Sequence, residues 1–345
     1  MSDEKRKVLE MLEKGSITPE DATRLLEALG ENNQASAPAE KKAEPEAPAQ
    51  PQAAAEPIPE MDFEATARRT VWGSYDACPA PAPGLNQYEY KVDVEGVENL
   101  DISWISGPVD LHTYEGARIR ITVYSRSPLS DGKQLLLQVE NGTLTIRWAR
   151  EGIIIALWPF TKHLVVEIPR KLAARLERVK CANIASKVYV VGICGRDVAV
   201  SSTSGRVYLG GVTAQNLSVR TISSGIRLQD FAAQQAVFGT TSGTLEAWGN
   251  AEEFKLKSIS GAVRLTVDQS PSRLSASNVS GEIALSLPAG MGFNARYSTV
   301  SGRLNTDFPV ATDGDGKQGQ VSHGNGYAKI DLNTVSGGIK IRQTL

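Results

Sequence analysis

Through the second half of the chain one short pattern of apolar and polar positions keeps returning. A β-branched residue is followed by Ser, Gly, any residue, an aliphatic, any residue and then usually another apolar side chain. It reads Thr203-Ser204-Gly205-Arg206-Val207-Tyr208-Leu209, and returns as Thr241-Ser242-Gly243-Thr244-Leu245 and Ile259-Ser260-Gly261-Ala262-Val263-Arg264-Leu265. Val279-Ser280-Gly281-Glu282-Ile283, Val300-Ser301-Gly302-Arg303-Leu304 and Val335-Ser336-Gly337-Gly338-Ile339 follow. Ile184-Ala185-Ser186 and Ile222-Ser223-Ser224 are degenerate copies, and Ile105-Ser106-Gly107-Pro108-Val109 is an isolated early one. With the glycine-equivalent residue as the mark, the positions are 186, 205, 224, 243, 261, 281, 302 and 337. The steps are 19, 19, 19, 18, 20, 21 and 35, so this is an internal repeat, and the long step holds the Gly-rich stretch 313–326.

Each period carries a second apolar pair at strand spacing, as in Val198/Val200, Leu217/Val219, Phe254/Leu256, Leu274/Ala276 and Phe293/Ala295. Residues two apart share a face of a strand, so Val207/Leu209, Val263/Leu265 and Ile283/Leu285 point the same way. Two short strands and two corners per period predict a mainly β fold, a parallel β-solenoid of about 19 residues per coil. An antiparallel sandwich is the rival, but a motif in the same phase of every period favours parallel stacking. The corners fall at Gly107, Gly205, Gly243, Gly261, Gly281, Gly302 and Gly337, where a small residue permits a tight bend. The Ser before each can hydrogen-bond the turn. Alternating stretches at 100–105, 118–124, 134–139, 143–148 and 164–168 lack the period. They predict an irregular antiparallel β cap to about residue 168, with the solenoid at about 179–345.

The first 30 residues follow a helical pattern. Val8, Met11 and Leu12 share one stripe before Gly15; Thr18 can cap a second helix with Pro19 in its first turn, and Leu25, Leu26 and Leu29 continue the stripe begun at Ala22. A hairpin of this size buries little core of its own, so its apolar stripe (Val8, Met11, Leu12, Leu25, Leu26, Leu29) is expected to dock. The candidates are the chain's own β domain, a second copy or a protein partner. Residues 31–62 hold nine Ala, six Pro and seven acids against two bases, the composition of a disordered linker. Three segments result: a hairpin at 1–30, a linker at 31–62 and a β-repeat domain at 63–345.

Composition adds mostly exclusions. Net charge is −2, with 41% hydrophobic and 22% charged residues, which argues against a nucleic-acid partner. After the acidic first 62 residues the remainder has 25 acids and 30 bases, enough to favour an anionic surface only if the bases cluster. The longest uncharged apolar run, 152–160, is far short of a membrane span, and the charged start shows no export signal. The expected compartment is the cytoplasm, with association at a membrane surface left open by the apolar stretch 148–160.

Catalytic chemistry is not visible. Cys78, Cys181 and Cys194 have no metal-site spacing and read as buried free thiols, and His112, His163 and His323 lie far apart in sequence. Asp313-Gly314-Asp315-Gly316 opens like a Ca²⁺ loop, but residue 324 is Gly where a bidentate Glu is wanted. Asp230, Glu246, Asp268 and Glu282 fall at different phases of the repeat, unlike the paired acids of a polysaccharide-cleaving β-helix. No catalytic residue, cofactor or metal site is expected, and the protein reads as a non-enzyme.

The serial Val/Ile/Thr-Ser-Gly-x-aliphatic units resemble the bacterial "putative adhesin" family of β-strand repeats, a domain of unknown function. Leu164-Val165-Val166-Glu167-Ile168-Pro169 and Leu287-Pro288-Ala289-Gly290-Met291-Gly292-Phe293 add to that likeness. Leu12-Glu13-Lys14-Gly15-Ser16-Ile17-Thr18-Pro19-Glu20-Asp21-Ala22 resembles the short helical-hairpin module of envelope-stress proteins of the LiaX type. The pairing implies a non-enzymatic scaffold in sensing or relaying cell-envelope stress. An exported surface adhesin or ligand sensor is the alternative. A filament-forming solenoid is a third, since few residues follow the strand 338–342 to cover its edge.

Overall fold

The computed structural model describes residues 78–129, 135–148 and 162–344. The chain divides into two units, Met1–Pro59 and Glu60–Leu345, and every described residue belongs to the second. The expected hairpin, the linker and most of the stretch 148–160 lie outside the described residues.

Strands form wherever apolar side chains alternate. In chain order they are β1 (Asn86–Asp93), β2 (Asn99–Trp104), β3 (Val109–Tyr114), β4 (Arg118–Ser125), β5 (Leu135–Glu140), β6 (Thr143–Trp148) and β7 (Lys162–Pro169). A single helical turn, α1 (Arg170–Ala173), leads to β8 (Leu176–Asn183), β9 (Val188–Val191), β10 (Cys194–Ser202), β11 (Val207–Gly210) and β12 (Thr213–Thr221). Then come β13 (Ile226–Ser242), β14 (Leu245–Ser260), β15 (Val263–Thr266), β16 (Arg273–Ser280) and β17 (Ile283–Pro288). The last are β18 (Phe293–Thr299), β19 (Leu304–Thr306), β20 (Ala311–Gly314), β21 (Gln318–His323), β22 (Ala328–Ser336) and β23 (Ile339–Thr344).

These strands make a two-sided parallel solenoid. One side carries, in order, β6, β2, β8, β10, β12, the second half of β13, the second half of β14, β16, β22 and β18. The other carries β7, β3, β9, β11, the first halves of β13 and β14, β15, β17, β23 and β19. Val207↔Ile226, Ile226↔Leu245 and Leu245↔Val263 show the repeats stacking in phase. The apolar pairs of the repeat therefore form ladders in the core. One runs Val200, Val219, Phe238, Leu256, Ala276, Leu332 and Tyr297, all buried. On β18 the pair in phase is Ala295/Tyr297, two residues beyond the expected start at Phe293.

Two differences from the sequence reading follow from the pairing. The parallel stack begins at β2, residue 99, because β2 and β3 pair in parallel with β8 and β9. The early copy at Gly107 is thus a true corner, and only β1, β4 and β5 form the antiparallel cap. The stack also departs from chain order at both ends. The coil β2–β3 lies between β6–β7 and β8–β9, and the coil β22–β23 lies between β16–β17 and β18–β19.

This second feature corrects the edge assignment behind the filament reading. β23 is bonded on both sides, to β17 and β19, so the strand 338–342 is interior. The outer coils are covered by antiparallel strands instead: β5 on β6, β4 and then β1 on β7, β21 and then β20 on β18. Among the described residues the outermost strands are thus β5, β1, β20 and β19, not the strand 338–342. The Asp313–Gly316 stretch belongs to the β20–β21 hairpin. There Asp315 accepts hydrogen bonds from the backbone N–H groups of Lys317 and Gln318, which hold its carboxyl below the usual range.

Candidate functional site

The corners are where backbones come closest. A Cβ on Gly281 would overlap the carbonyl oxygen of Gly261 on the adjacent coil, and the Gly281 φ of +130° is one that L-residues rarely adopt. Gly107, Gly205, Gly243, Gly261, Gly302 and Gly337 meet a neighbouring coil's backbone in the same way. The seven predicted corners therefore sit along one edge of the stack. The corners stack out of chain order there: Gly337 stacks on Gly281, and Gly302 stacks on Gly337.

Three residues before each mark lies a polar position that the sequence reading passed over. Asn183, Ser202, Thr221, Thr240, Ser258, Asn278, Thr334 and Thr299 all point inward and are buried. Several tie the corner to its neighbour: Asn183 donates to the Gly107 carbonyl at 3.1 Å, Asn278 to that of Gly261 at 2.8 Å and Thr299 to that of Gly337 at 3.2 Å. Ser202 instead accepts from the Gly205 N–H at 2.9 Å. The signal was present as Asn, Ser or Thr at the same offset in eight copies.

The next residue, two before the mark, turns outward. In stacking order these are Ile105, Ile184, Thr203, Ile222, Thr241, Ile259, Val279, Val335 and Val300. Ile184, Ile222, Ile259, Val279, Val335 and Val300 are 47–68% exposed. A contiguous ladder of exposed β-branched side chains is unlike the scattered apolar residues of an ordinary surface. Beside it runs a second outward stripe, from Arg147 and Ser103 through Ala182, Ser201, Arg220, Gly239, Lys257, Ser277 and Asn333 to Ser298. The two stripes wall a trough of about 1180 Å³, floored by the buried polar ladder. Ten coils at about 4.8 Å give it a length on the order of 40 Å.

The electrostatics are one-sided. Among the described residues no Asp or Glu lines the trough, whereas Arg147, Arg220 and Lys257 do. Arg147 is paired with Asp101 at 3.0 Å. Among the described residues neither Arg220 nor Lys257 forms an ion pair. They lie two coils apart with Gly239 between them, where a side chain would meet little: the nearest atoms to an added Cβ are 3.9 and 4.0 Å away. That leaves an open, cation-flanked gap beside Ile222 and Ile259.

At the trough's far end Trp148 stacks edge-on against Trp104, with ring centroids 5.6 Å apart. The Lys162 ammonium lies 3.0 Å from the Trp148 ring centre, and burial lowers its pKa to about 8. The acids weighed for catalysis do not converge in a cleft: Glu246 holds Arg227 and Arg264 on the opposite side of the coil, and Asp268 accepts from Trp248 Nε1. Of the cysteines, Cys181 is a core ladder residue whose thiol burial pushes up to about 12, Cys194 is also buried, and Cys78 is half-buried.

A family model for the Toastrack domain DUF4097 matches residues 97–342, almost the whole solenoid as its pairings define it. The chain belongs to the Toastrack DUF4097 family. A second model, for a SHOCT-like domain, matches residues 3–34, the segment read as a docking hairpin. No curated protein matches the chain. Among solved structures, this Toastrack protein is similar to a "putative adhesin" from Bacteroides fragilis at 14% identity, covering 76% of this chain and 98% of that one, TM-score 0.49. It is similar to a "putative lipid binding protein" from Parabacteroides distasonis at 12% identity, covering 76% and 98%, TM-score 0.47. A "putative cell adhesion protein" from Clostridium sporogenes matches at 12% identity over 75% and 100%, TM-score 0.25. Among the described residues of this Toastrack protein, no helix is long and apolar enough to cross a membrane.

Proposed function

We propose that this protein is a non-enzymatic binding scaffold of the cell envelope, and that its trough takes an anionic phospholipid of the membrane. The observation that carries the reading is the coincidence of an exposed apolar ladder with cations that, among the described residues, have no ion-pair partner in a trough lined by no carboxylate. Acyl chains would lie along Ile222, Ile259 and their neighbours, and the phosphate would sit in the gap between Arg220 and Lys257. A basic residue near an anionic lipid surface contributes about 1 kcal/mol. Removing apolar contact area costs further affinity at roughly 25 cal/mol per Å².

Co-sedimentation of the full chain with phosphatidylglycerol vesicles and with phosphatidylcholine vesicles tests this. The anionic vesicles should bind more tightly. Arg220→Glu with Lys257→Glu, and separately Ile222→Asp with Ile259→Asp, should each weaken that binding at least about tenfold, while thermal unfolding changes little because all four side chains face outward. Equal binding to both vesicle types, or binding that neither double variant alters, would show the reading to be wrong.

The scaffold half of the proposal rests on the N-terminal segment. Its apolar stripe and its match to a SHOCT-like domain support a docking role in envelope-stress relay, through self-association or a protein partner. Sedimentation of the full chain across a range of concentrations should show mass rising with concentration. Leu25→Asp with Leu26→Asp should abolish that rise. A wild-type mass independent of concentration would rule out self-association through the hairpin.

A further inference from the structure

Away from the trough, three side chains of different metal-binding chemistry meet on the outer surface of the first coils. Cys78 lies just before β1, Asp110 on β3 and His163 on β7. β3 and β7 are parallel neighbours, with Asp110 beside Val165. Leu164 faces the core, so His163 faces out, yet it is only 8% exposed. The Tyr124 ring of β4 lies 6.0 Å from the His163 ring between centroids, and Cys78 meets the imidazole at Nε2. Cys78 Sγ is 3.3 Å from His163 Nε2, and one ligand atom from each of the three residues lies within 4.8 Å of the other two.

We propose that Cys78, Asp110 and His163 bind a Zn²⁺ ion. Zinc bonds of about 2.0–2.3 Å in a tetrahedron put neighbouring ligand atoms about 3.3–3.8 Å apart. The sulfur–nitrogen pair already has that separation, and the ion would draw the remaining ligand atoms, now within 4.8 Å of one another, to the same spacing. Thiolate, carboxylate and neutral imidazole neutralise a divalent cation and leave a fourth position for water. Zn²⁺ replaces the thiol proton, which leaves to solvent as the Zn–S bond forms; no electron changes hands. Burial, then the nearby Asp110 carboxylate, raise the Cys78 pKa to about 12, while Lys187 acts the other way. Burial lowers that of His163, which keeps its imidazole neutral and able to coordinate. Without a metal the thiol, imidazole and carboxylate are close-packed groups with only the Cys78–His163 contact between them; with one, the three strands of chain that carry them are tied at a single point. His112 and Glu167 flank the site: His112 Nδ1 is 3.1 Å from Asp110 Oδ1 and its Nε2 is 3.8 Å from Glu167.

The test is titration of the tag-free full chain with Co²⁺, then with Zn²⁺. One equivalent of Co²⁺ should give a near-ultraviolet sulfur-to-cobalt charge-transfer band that Zn²⁺ abolishes by displacement. Cys78→Ser should remove the band, and Asp110→Asn should weaken Zn²⁺ binding at least about tenfold. Cys194→Ser, which alters a buried thiol elsewhere, should leave both unchanged. The circular dichroism of each variant reports whether it has folded, and zinc-dependent protection of the segment around Cys78 from hydrogen exchange gives a second readout on the wild type. Absence of the band in the wild-type protein, or its persistence in Cys78→Ser, would overturn the assignment. Because the cluster lies outside the trough, loss of vesicle binding and loss of metal binding are separable results.

Discussion

A chain ending at residue 326 should lose far more than its last coil. The deleted strands β22 and β23 are bonded on both sides, to β16 and β18 and to β17 and β19. Their core residues Ala328, Ile330, Leu332, Ile339 and Ile341 are at most 1% exposed. Among the described residues β18 pairs only with β21 and β22, and β19 only with β23. Removing the inserted coil therefore leaves 293–326 with no sheet partner in the remaining solenoid and bares β16 and β17 as an open edge. Limited proteolysis read by mass spectrometry should find cleavage throughout 293–326 in the truncated chain, with the coils from 162 to 266 resistant, and the bared edge should promote aggregation. In a solenoid stacked in chain order, β18 and β19 would rest on β16 and β17, and 293–326 would stay resistant. The two arrangements thus predict opposite cleavage maps.

The second large effect belongs to the corner glycines. Gly281→Ala places a methyl group into the Gly261 carbonyl while imposing a side chain at φ +130°. A strained backbone conformation costs about 1–3 kcal/mol and overpacking against atoms that cannot move adds about 1–3 kcal/mol. Backbone on the adjacent coil cannot yield without disturbing the parallel ladder, so a loss of about 2–6 kcal/mol is expected. Against a total stability of about 5–15 kcal/mol, the urea midpoint should fall sharply. Gly290→Ala is the control: its added Cβ has nothing within 4 Å and its φ is ordinary, so the midpoint should move by less than about 0.5 kcal/mol equivalent. Similar shifts for both would contradict the close stacking of the corners.

The solenoid was legible because its repeat ties chemistry to geometry at every turn. A glycine at each close approach and aliphatics two and four residues beyond it, as at Gly261, Val263 and Leu265, specify a corner and a buried strand. The order of the coils was not legible. The motif recurs in every coil and so does not say which coil is next in space: Gly337, not Gly302, meets Gly281. The hairpin β20–β21, which caps β18, is what lengthens the step to 35 residues. The upstream coils were hidden for a related reason: β4 and β5 interrupt the series between β3 and β6–β7, so coils adjacent in space are far apart in sequence.

The trough shows a different limit. Strand alternation predicts which side chains face in only while the strand continues, and the corner breaks it. Thr221 and Ile226 both face inward although they are an odd number of residues apart, and Ile222 between them faces out. An Ile beside a Ser-Gly corner therefore reads as core in sequence and is surface in the fold. The cations were equally obscure, because Arg220 and Lys257 become near neighbours only when successive coils stack. Cys78, Asp110 and His163 carry no ligand spacing at all; parallel pairing of β3 with β7 gathers two of them and the segment before β1 brings the third.

If the apolar ladder and its cations form one lipid-binding trough, a bound lipid's acyl chain must lie along the corners. Photo-crosslinking answers it most directly, using phosphatidylglycerol with a diazirine in its acyl chain, followed by peptide mapping. Crosslinks should fall at the exposed corner positions, around Ile184, Ile222, Ile259 and Val279, hence at intervals of about 19 residues or twice that along the sequence. They should disappear in Arg220→Glu with Lys257→Glu. Crosslinks confined to the β1–β4 surface, or distributed without that period, would contradict it.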